Sequence, residues 1–192
     1  MSLENVSTAN EILHLHKAAG KSLPKIVILD LDHTLWDSRC ARKTIPPYKR
    51  TGLDEVTDEG GSGWKIRIGK NTRDILTALC QHGCRLGIAS LNGDFHKSTL
   101  LLQAFDIWHF FDKELDLVQI LRGPNKVRHL QNIKIAVGSG VDWNEILLFD
   151  DCPRNVQLAR LYGSPAVLVK ERCLSIEVLK DALMQNKTDR CS

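Results

Sequence analysis

Charge of one sign is nearly absent as a surplus: 26 Lys plus Arg stand against 23 Asp plus Glu in 192 residues, a formal net charge of +3. So small an excess gives no support to a nucleic-acid partner held by bulk charge. No apolar run reaches the roughly 18 residues of a membrane span, so no membrane partner is expected either. Internal repeats and low-complexity tracts are also missing. With 43% hydrophobic and 26% charged residues, the composition is that of a globular protein rather than a disordered chain, a collagen or a coiled coil. Cysteine is present but scattered, at positions 40, 80, 84, 152, 173 and 191, in a chain too long to need disulfide staples. Cys80 and Cys84 flank His82, but the spacing is not CxxC and no second ligand pair follows, so they read as ordinary residues at a helix-to-strand junction. The opening MSLENVSTANEILHLHK carries two Glu and no continuous apolar core, unlike a signal peptide. A reduced, cytoplasmic protein is the expectation. With no surplus apolar segment visible, so is a monomer.

Five short apolar runs punctuate the chain: Lys25 to Leu29, Arg85 to Ala89, Glu114 to Val118, Glu145 to Phe149 and Ala166 to Val169. Four are continuous rather than alternating, as strands covered on both faces are; the third is mixed. Helical patterns lie between them. Thr72 to Gln81 places Ile75, Leu76 and Leu79 on one stripe, and Gly83 is a natural stop. Phe95 to Phe105 follows Asp94, a candidate cap. Pro124 to Ile135 and Pro153 to Tyr162 each open on a proline that suits a first turn. Ser175 to Gln185 is amphipathic, and Asn10 to Ala19 is a possible extra N-terminal helix. Strands alternating with helices predict a doubly wound α/β sheet.

Residues 37–71 break the alternation. They hold Pro46-Pro47, Gly60-Gly61-Ser62-Gly63 and acidic residues at Asp54, Glu55, Asp58 and Glu59. TGLDEVTDEGGSGWKIRI reads as a hairpin with a glycine turn. So long an excursion after the first strand would hang over the carboxyl edge of the sheet, where open α/β sheets bind ligands.

Two acidic pairs sit at strand ends. The first strand runs into Asp30-Leu31-Asp32-His33-Thr34, and the fourth into Phe149-Asp150-Asp151-Cys152-Pro153-Arg154-Asn155. Asp30 and Asp32 would point the same way in an extended chain, or be aimed by a turn starting at Leu31. In a parallel sheet all these ends share one edge. Carboxylates converging there repel one another and call for a cation, and an all-oxygen site suits Mg²⁺. The plainer reading is that Asp150 and Asp151 only cap the next helix. Ser90 at the end of the second strand is by itself an unremarkable hydroxyl. Lys126 at a helix start is unfavourable with the helix dipole unless an anion lies near.

In order and context, Asp30-Leu31-Asp32-His33-Thr34, Ser90, Lys126 and Asp150-Asp151 resemble the four motifs of the haloacid-dehalogenase-like (HAD) superfamily. Leu35-Trp36, Pro46-Pro47-Tyr48 and Phe149-Asp150-Asp151 with Arg154-Asn155 bring the resemblance closer to its magnesium-dependent acid phosphatase branch, over about Lys25 to Lys170. The chain departs from that branch at His33, at Leu91, where Arg is usual, and in its N-terminal extension. The resemblance implies a three-layer Rossmann-like fold, a parallel five-stranded sheet with helices on both faces. It implies one domain over 1–192, with 1–23 as the extension and 37–71 as a β-hairpin flap. The intervals Asp32 to Ser90 and Ser90 to Lys126 leave no room for a large cap, so a capless, open site is expected. Basic residues Arg39, Arg42, Lys43, Lys49 and Arg50 on the flap's first arm would attract an anion or simply face solvent. Trp36 would line the entrance or pack beneath the flap.

The same resemblance implies hydrolysis of phosphate monoesters with Mg²⁺ as cofactor. Asp30 would be the nucleophile and Asp32 the acid and base. Ser90, Leu91, Asn92 and Lys126 would contact the substrate. Asp30, Asp32 (through its carbonyl) and Asp151 would hold the metal, with Asp150 beside it or acting through water. Protein phosphotyrosine and small sugar phosphates are both candidate substrates. A phosphatase for phosphoserine tails more often has a neutral residue in the last acidic pair. A receiver domain would carry its motifs in the reverse order. An inactive HAD-like phosphate-binding or protein-interaction module would have no chemical need for Asp32.

Overall fold

The structure, a computed structural model, describes residues 3–37, 41–170 and 173–184. Arg39, Cys40, Gln185 and Cys191 lie outside them. Five parallel strands form the central sheet: β1 (Ile26–Leu29), β5 (Arg85–Ser90), β6 (Val118–Ile120), β7 (Ile146–Asp150) and β8 (Ala166–Leu168), in the order β6-β5-β1-β7-β8. β1 is buried along its whole length and pairs with β5 and β7, with Leu29 opposite Ile88 and Phe149. Its continuous apolar run serves two cores at once. Val27, Leu29, Leu147 and Phe149 face one layer, and Ile26, Ile28, Ile146 and Leu148 the other. The first layer holds α1 (Leu3–Ala18), α2 (Thr72–Gln81), α3 (Phe95–Ala104) and α6 (Ile176–Met184); the second holds α4 (Val127–Val137) and α5 (Pro153–Leu161). The three-layer expectation is met. In β5, Gly87 allows close approach: a Cβ there would lie 2.6 Å from the Leu117 carbonyl and 2.7 Å from Ile28 Cδ1.

Local chemistry sets the ends of the elements. Asp94 caps α3 by accepting from the Lys97 amide (3.0 Å), and Pro153 occupies the first turn of α5. Gly83 follows α2 at φ 88°, as expected of a stop. Two boundaries need correction. The third strand is Val118–Ile120, not Glu114 to Val118, because Asp112 accepts from the Leu115 amide (3.0 Å) and Asp116 turns left-handed at φ 51°, which spends that stretch on a turn. α4 begins at Val127 rather than Pro124. Asn125 Oδ1 accepts the Val127 amide (3.0 Å), so Gly123-Pro124-Asn125 is a loop that leads into Lys126 as the residue before the first turn.

The flap is a sheet of its own, β2 (Tyr48–Arg50), β3 (Glu55–Asp58) and β4 (Lys65–Arg67), all antiparallel. The glycine turn joins β3 to β4 as expected; β2 is an additional strand. Asp58 organises the turn, accepting from the Ser62 hydroxyl and the Gly63 amide. α1 lies against α2, with Ala9 and Leu13 fully buried and Asn10 Nδ2 donating to Gln81 Oε1 (3.0 Å). It runs longer than the Asn10 to Ala19 expected from the sequence.

Candidate active site

In the order β6-β5-β1-β7-β8 the chain leaves β1 on both sides, so the crevice outside its carboxyl end lies at the switch point where such sheets bind ligands. Asp30 is the first residue beyond β1, and its amide donates to the Phe149 carbonyl (3.0 Å). That ladder bond sets Asp30 beside Asp150, the last residue of β7. A tight turn follows. The Leu31 carbonyl accepts from Leu35 (2.9 Å) and Trp36 (3.2 Å), and His33 adopts φ 64° while its amide donates to the Trp36 carbonyl (2.7 Å). The left-handed residue costs roughly 1–2 kcal/mol, and it closes the turn just after the two carboxylates of the motif, which find different partners. Asp30 turns toward Lys126. Asp32 Oδ1 instead accepts from Trp36 Nε1 (3.0 Å). Trp36 is itself buried and stacked on Phe105 at 6.3 Å, and it also borders a cleft under the flap arm. Both readings of this residue are thus partly met.

Lys126 is the centre of the site. It is 2% exposed, with Nζ 2.6 Å from Asp30 Oδ1 and 2.5 Å from Asp150 Oδ2. The anion that its place at a helix start calls for is this carboxylate pair. Burial alone would lower the Lys126 ammonium, but Asp30 and Asp150 outweigh it and hold the group above its usual value. Asp150 is fully buried and satisfied: besides Lys126 it takes the Cys152 amide (2.8 Å) and Asn155 Nδ2 (3.2 and 3.3 Å). It therefore shapes the start of α5 and also belongs to the acidic cluster. Asp151 is half-buried and feels the charges of Asp150, His33 and Lys126.

Oxygens of Asp30, Asp150 and Asp151 lie within 4.8 Å of one another. Octahedral oxygens around an ion such as Mg²⁺ sit up to about 4.2 Å apart, so the cluster needs only a small contraction to share one. Charge argues the same way, since one ammonium cannot balance three carboxylates. Burial pushes Asp30 up to about 7; Lys126 opposes the shift and Asp150 adds to it. Asp151 is raised by burial and by Asp150. The donor set is hard and short of positive charge, and so fits a divalent cation.

Ser90 ends β5 and is 1% exposed. Asn92 Nδ2 donates to Ser98 Oγ (3.1 Å), and its Oδ1 accepts the Asp94 amide (3.1 Å), so its side chain organises the loop after β5. Leu91 is half-buried beside the cleft under the flap arm.

Residues 22–189 match the family described as Acid Phosphatase. The chain belongs to the acid phosphatase family. It is 26% identical to human Magnesium-dependent phosphatase 1 over 134 residues, 70% of this chain and 71% of that protein. It is also 26% identical over 157 residues to a HAD-like hydrolase superfamily protein of Schizosaccharomyces pombe, covering 80% of this chain and 90% of the relative. A HAD-superfamily hydrolase from Ehrlichia chaffeensis shares the fold with a TM-score of 0.56 at 14% identity, over 85% of this chain and 98% of the other. The acid phosphatase match begins after α1, so this helix is added outside the matched region.

Within this acid phosphatase framework one buried residue escaped the sequence reading. His129 is 1% exposed, and its Nε2 lies 3.1 Å from the Ser90 carbonyl and 2.9 Å from the Leu121 carbonyl, donating to both as N–H. Burial lowers its pKa, which favours the neutral ring. It ties the ends of β5 and β6 together under the Ser90 loop. A histidine three residues after Lys126 is one helical turn away on the same face, and that spacing was the available signal.

Proposed function

We propose that this protein is a magnesium-dependent phosphatase that hydrolyses phosphate monoesters through an aspartyl-phosphate on Asp30. The observation that carries the reading is the convergence on Lys126 of two buried carboxylates from different strands, with a third beside them. Bound Mg²⁺ would neutralise phosphoryl charge and hold the Asp30 carboxylate ionised. Asp30, Asp151 and the Asp32 carbonyl would hold it, with Asp150 adjacent.

Asp30 Oδ attacks phosphorus and forms the new P–O bond, while the bond from phosphorus to the ester oxygen breaks. The leaving oxygen takes its proton from the Asp32 carboxyl. Water then attacks the aspartyl-phosphate and gives a proton back to Asp32; inorganic phosphate leaves, and the Asp30 carboxylate is restored. Asp30 must be ionised to attack. Without a cation its burial works against that, pushing it up to about 7, and this is the chemical need the metal meets. Lys126 holds Asp30 and a phosphoryl oxygen in line. Ser90 donates to a second phosphoryl oxygen, and Leu91 and Asn92 form the wall behind it. Trp36 fixes the Asp32 rotamer through its indole N–H.

In this reading, residues 1–192 form one catalytic unit with 37–71 as its flap. All groups come from one chain, so a monomer suffices. No helix among the described residues is long and apolar enough to cross a membrane.

Hydrolysis of p-nitrophenyl phosphate tests the proposal. Turnover should require added Mg²⁺, stop with chelator, and vanish in Asp30→Asn and Asp32→Asn. Acid-quenched mass spectrometry should find a phosphoryl adduct on the Asp30 peptide. Full activity in Asp30→Asn refutes it.

A further inference from the structure

A cleft of about 360 Å³ opens beside Asp32, between the first arm of the flap and the loops after β5 and β6. Three cationic side chains line it: Arg42 from the flap arm, Lys97 from the first turns of α3 and Arg122 from beyond β6. Among the described residues none of the three is paired with a carboxylate. Other surface cations are neutralised locally, as Arg67 is by Glu55 (2.7 Å) and Arg85 by Asp112 (2.5 Å), whereas these three share one cleft. The two carboxylates at the cleft are engaged by internal donors, Asp32 by the Trp36 indole and Asp94 by the Lys97 amide.

Two of the cations are also held in place. Lys97 Nζ donates to the Arg42 carbonyl (3.2 Å), joining α3 to the flap arm and leaving the ammonium with further donors. The stem of Arg122 lies over Gly93, which sits at φ 67°; a Cβ on Gly93 would collide with Arg122 Cγ. The missing side chain is thus what lets the guanidinium lie along the cleft. A simple alcohol as leaving group would need none of this. The reacting phosphoryl group is already served by Lys126 and Ser90 in the reading above, and neither of these lines the cleft.

We infer that this cleft binds a second anionic group, phosphate or carboxylate, carried on the leaving portion of the substrate. Building on the phosphatase reading above, it assigns the preferred substrates to small, doubly anionic phosphomonoesters, such as sugar bisphosphates and phosphorylated hydroxy acids. The size of the cleft, near the lower end of the roughly 300–1,000 Å³ of small-molecule sites, favours a small molecule over a peptide segment. Forked guanidinium donors match either anion.

The test compares kcat/KM, with Mg²⁺ at fixed ionic strength, for p-nitrophenyl phosphate, a hexose 6-phosphate, the matching hexose 1,6-bisphosphate and a phosphotyrosine peptide. The bisphosphate should exceed the monophosphate by about tenfold or more, mostly through KM, as one charge-assisted contact allows. That ratio should fall toward one in Arg122→Gln combined with Lys97→Met, and be partly kept in Arg122→Lys. A wild-type ratio near one, a preference for the peptide, or a ratio that survives the double substitution overturns the assignment. If p-nitrophenyl phosphate is cleaved without a bisphosphate preference, only the cleft assignment falls. If none of the four is cleaved, the phosphatase reading falls and takes the cleft with it.

Discussion

Replacing Lys126 with Met tests the centre of the site. The change keeps most of the stem and removes the ammonium from between Asp30 (2.6 Å) and Asp150 (2.5 Å). An exposed ion pair would be worth about 0–1 kcal/mol. This one is buried on both sides, with Lys126 at 2% and Asp150 at 0% exposure. Removing one partner of a buried pair costs about 3–5 kcal/mol, because uncompensated charge stays inside. At about 2–4 °C per kcal/mol for a chain of this size, melting should drop by about 6–20 °C in chelator at pH 8. Mg²⁺ should restore part of the loss: saturation at a hundred times Kd is worth about 2.7 kcal/mol. The gain should be larger in the variant than in the wild type, because no ammonium then competes with the ion. Turnover should fall by about 10²–10³-fold, as when one preorganised donor to a transition state is lost. Adding Asp150→Asn to the variant should recover stability but not turnover, which separates the two roles. Differential scanning fluorimetry with and without Mg²⁺ reads the first part, and p-nitrophenyl phosphate hydrolysis the second. A melting change under about 2 °C in chelator would refute the reasoning.

Three further outcomes are expected. Trp36→Phe keeps an aromatic ring against Phe105 but removes the indole N–H from Asp32; steady-state kinetics should show kcat down about tenfold or more with KM little changed, for roughly 1–2 kcal/mol lost in positioning. His129→Ala strips a donor from the Ser90 and Leu121 carbonyls, at about 1–3 kcal/mol of stability by denaturant titration and with a raised KM; an unchanged midpoint and KM would refute its positioning role. Glu55, held at about 2 by Lys65, Arg67 and Thr51 against an ordinary 4.5, gives the flap support that is full above about 4.5 and fades as pH falls toward 2, so Trp64 fluorescence should report flap loosening in that window, and less of it at high salt.

How far the sequence could be read follows from where its signals are local. β1 and β7 were legible because IVIL and ILLF are unbroken apolar runs, and only strands packed on both faces need that. β6 was displaced because its neighbourhood mixes Leu with Asp, Lys and Glu. The turn that moves it depends on a side-chain bond from Asp112 and a left-handed Asp116, neither of which leaves a periodic trace. β2 was missed for a similar reason: Tyr-Lys-Arg has one half-buried and two exposed residues and becomes a strand only by pairing with β3. The start of α4 was misread because proline suits a first turn but does not require one, and Asn125 supplies the signal instead.

The site divides in the same way. Asp30, Asp32, Asp150 and Asp151 were visible as acidic pairs following buried strands, since charge at the end of an apolar run is costly unless it is used. Lys126 was ambiguous alone; only the fold shows that its ammonium spans Asp30 and Asp150. Trp36, Asn155 and His129 act through single hydrogen-bonding atoms, and each would look the same in sequence if it merely filled the core. Arg42 was legible as part of the flap's basic arm, but Lys97 and Arg122 come from segments far from it in the chain, so only the fold shows that the three share a cleft. In the proposed mechanism the groups that carry the phosphoryl chemistry stand at or just past strand ends, with Lys126 at the start of α4, positions that recur with the fold. Those that would choose the leaving group sit on the connections between them, which are free to vary. It follows that altering Arg122 or Lys97 should change which ester is preferred, while altering Asp30 should abolish hydrolysis of every ester alike.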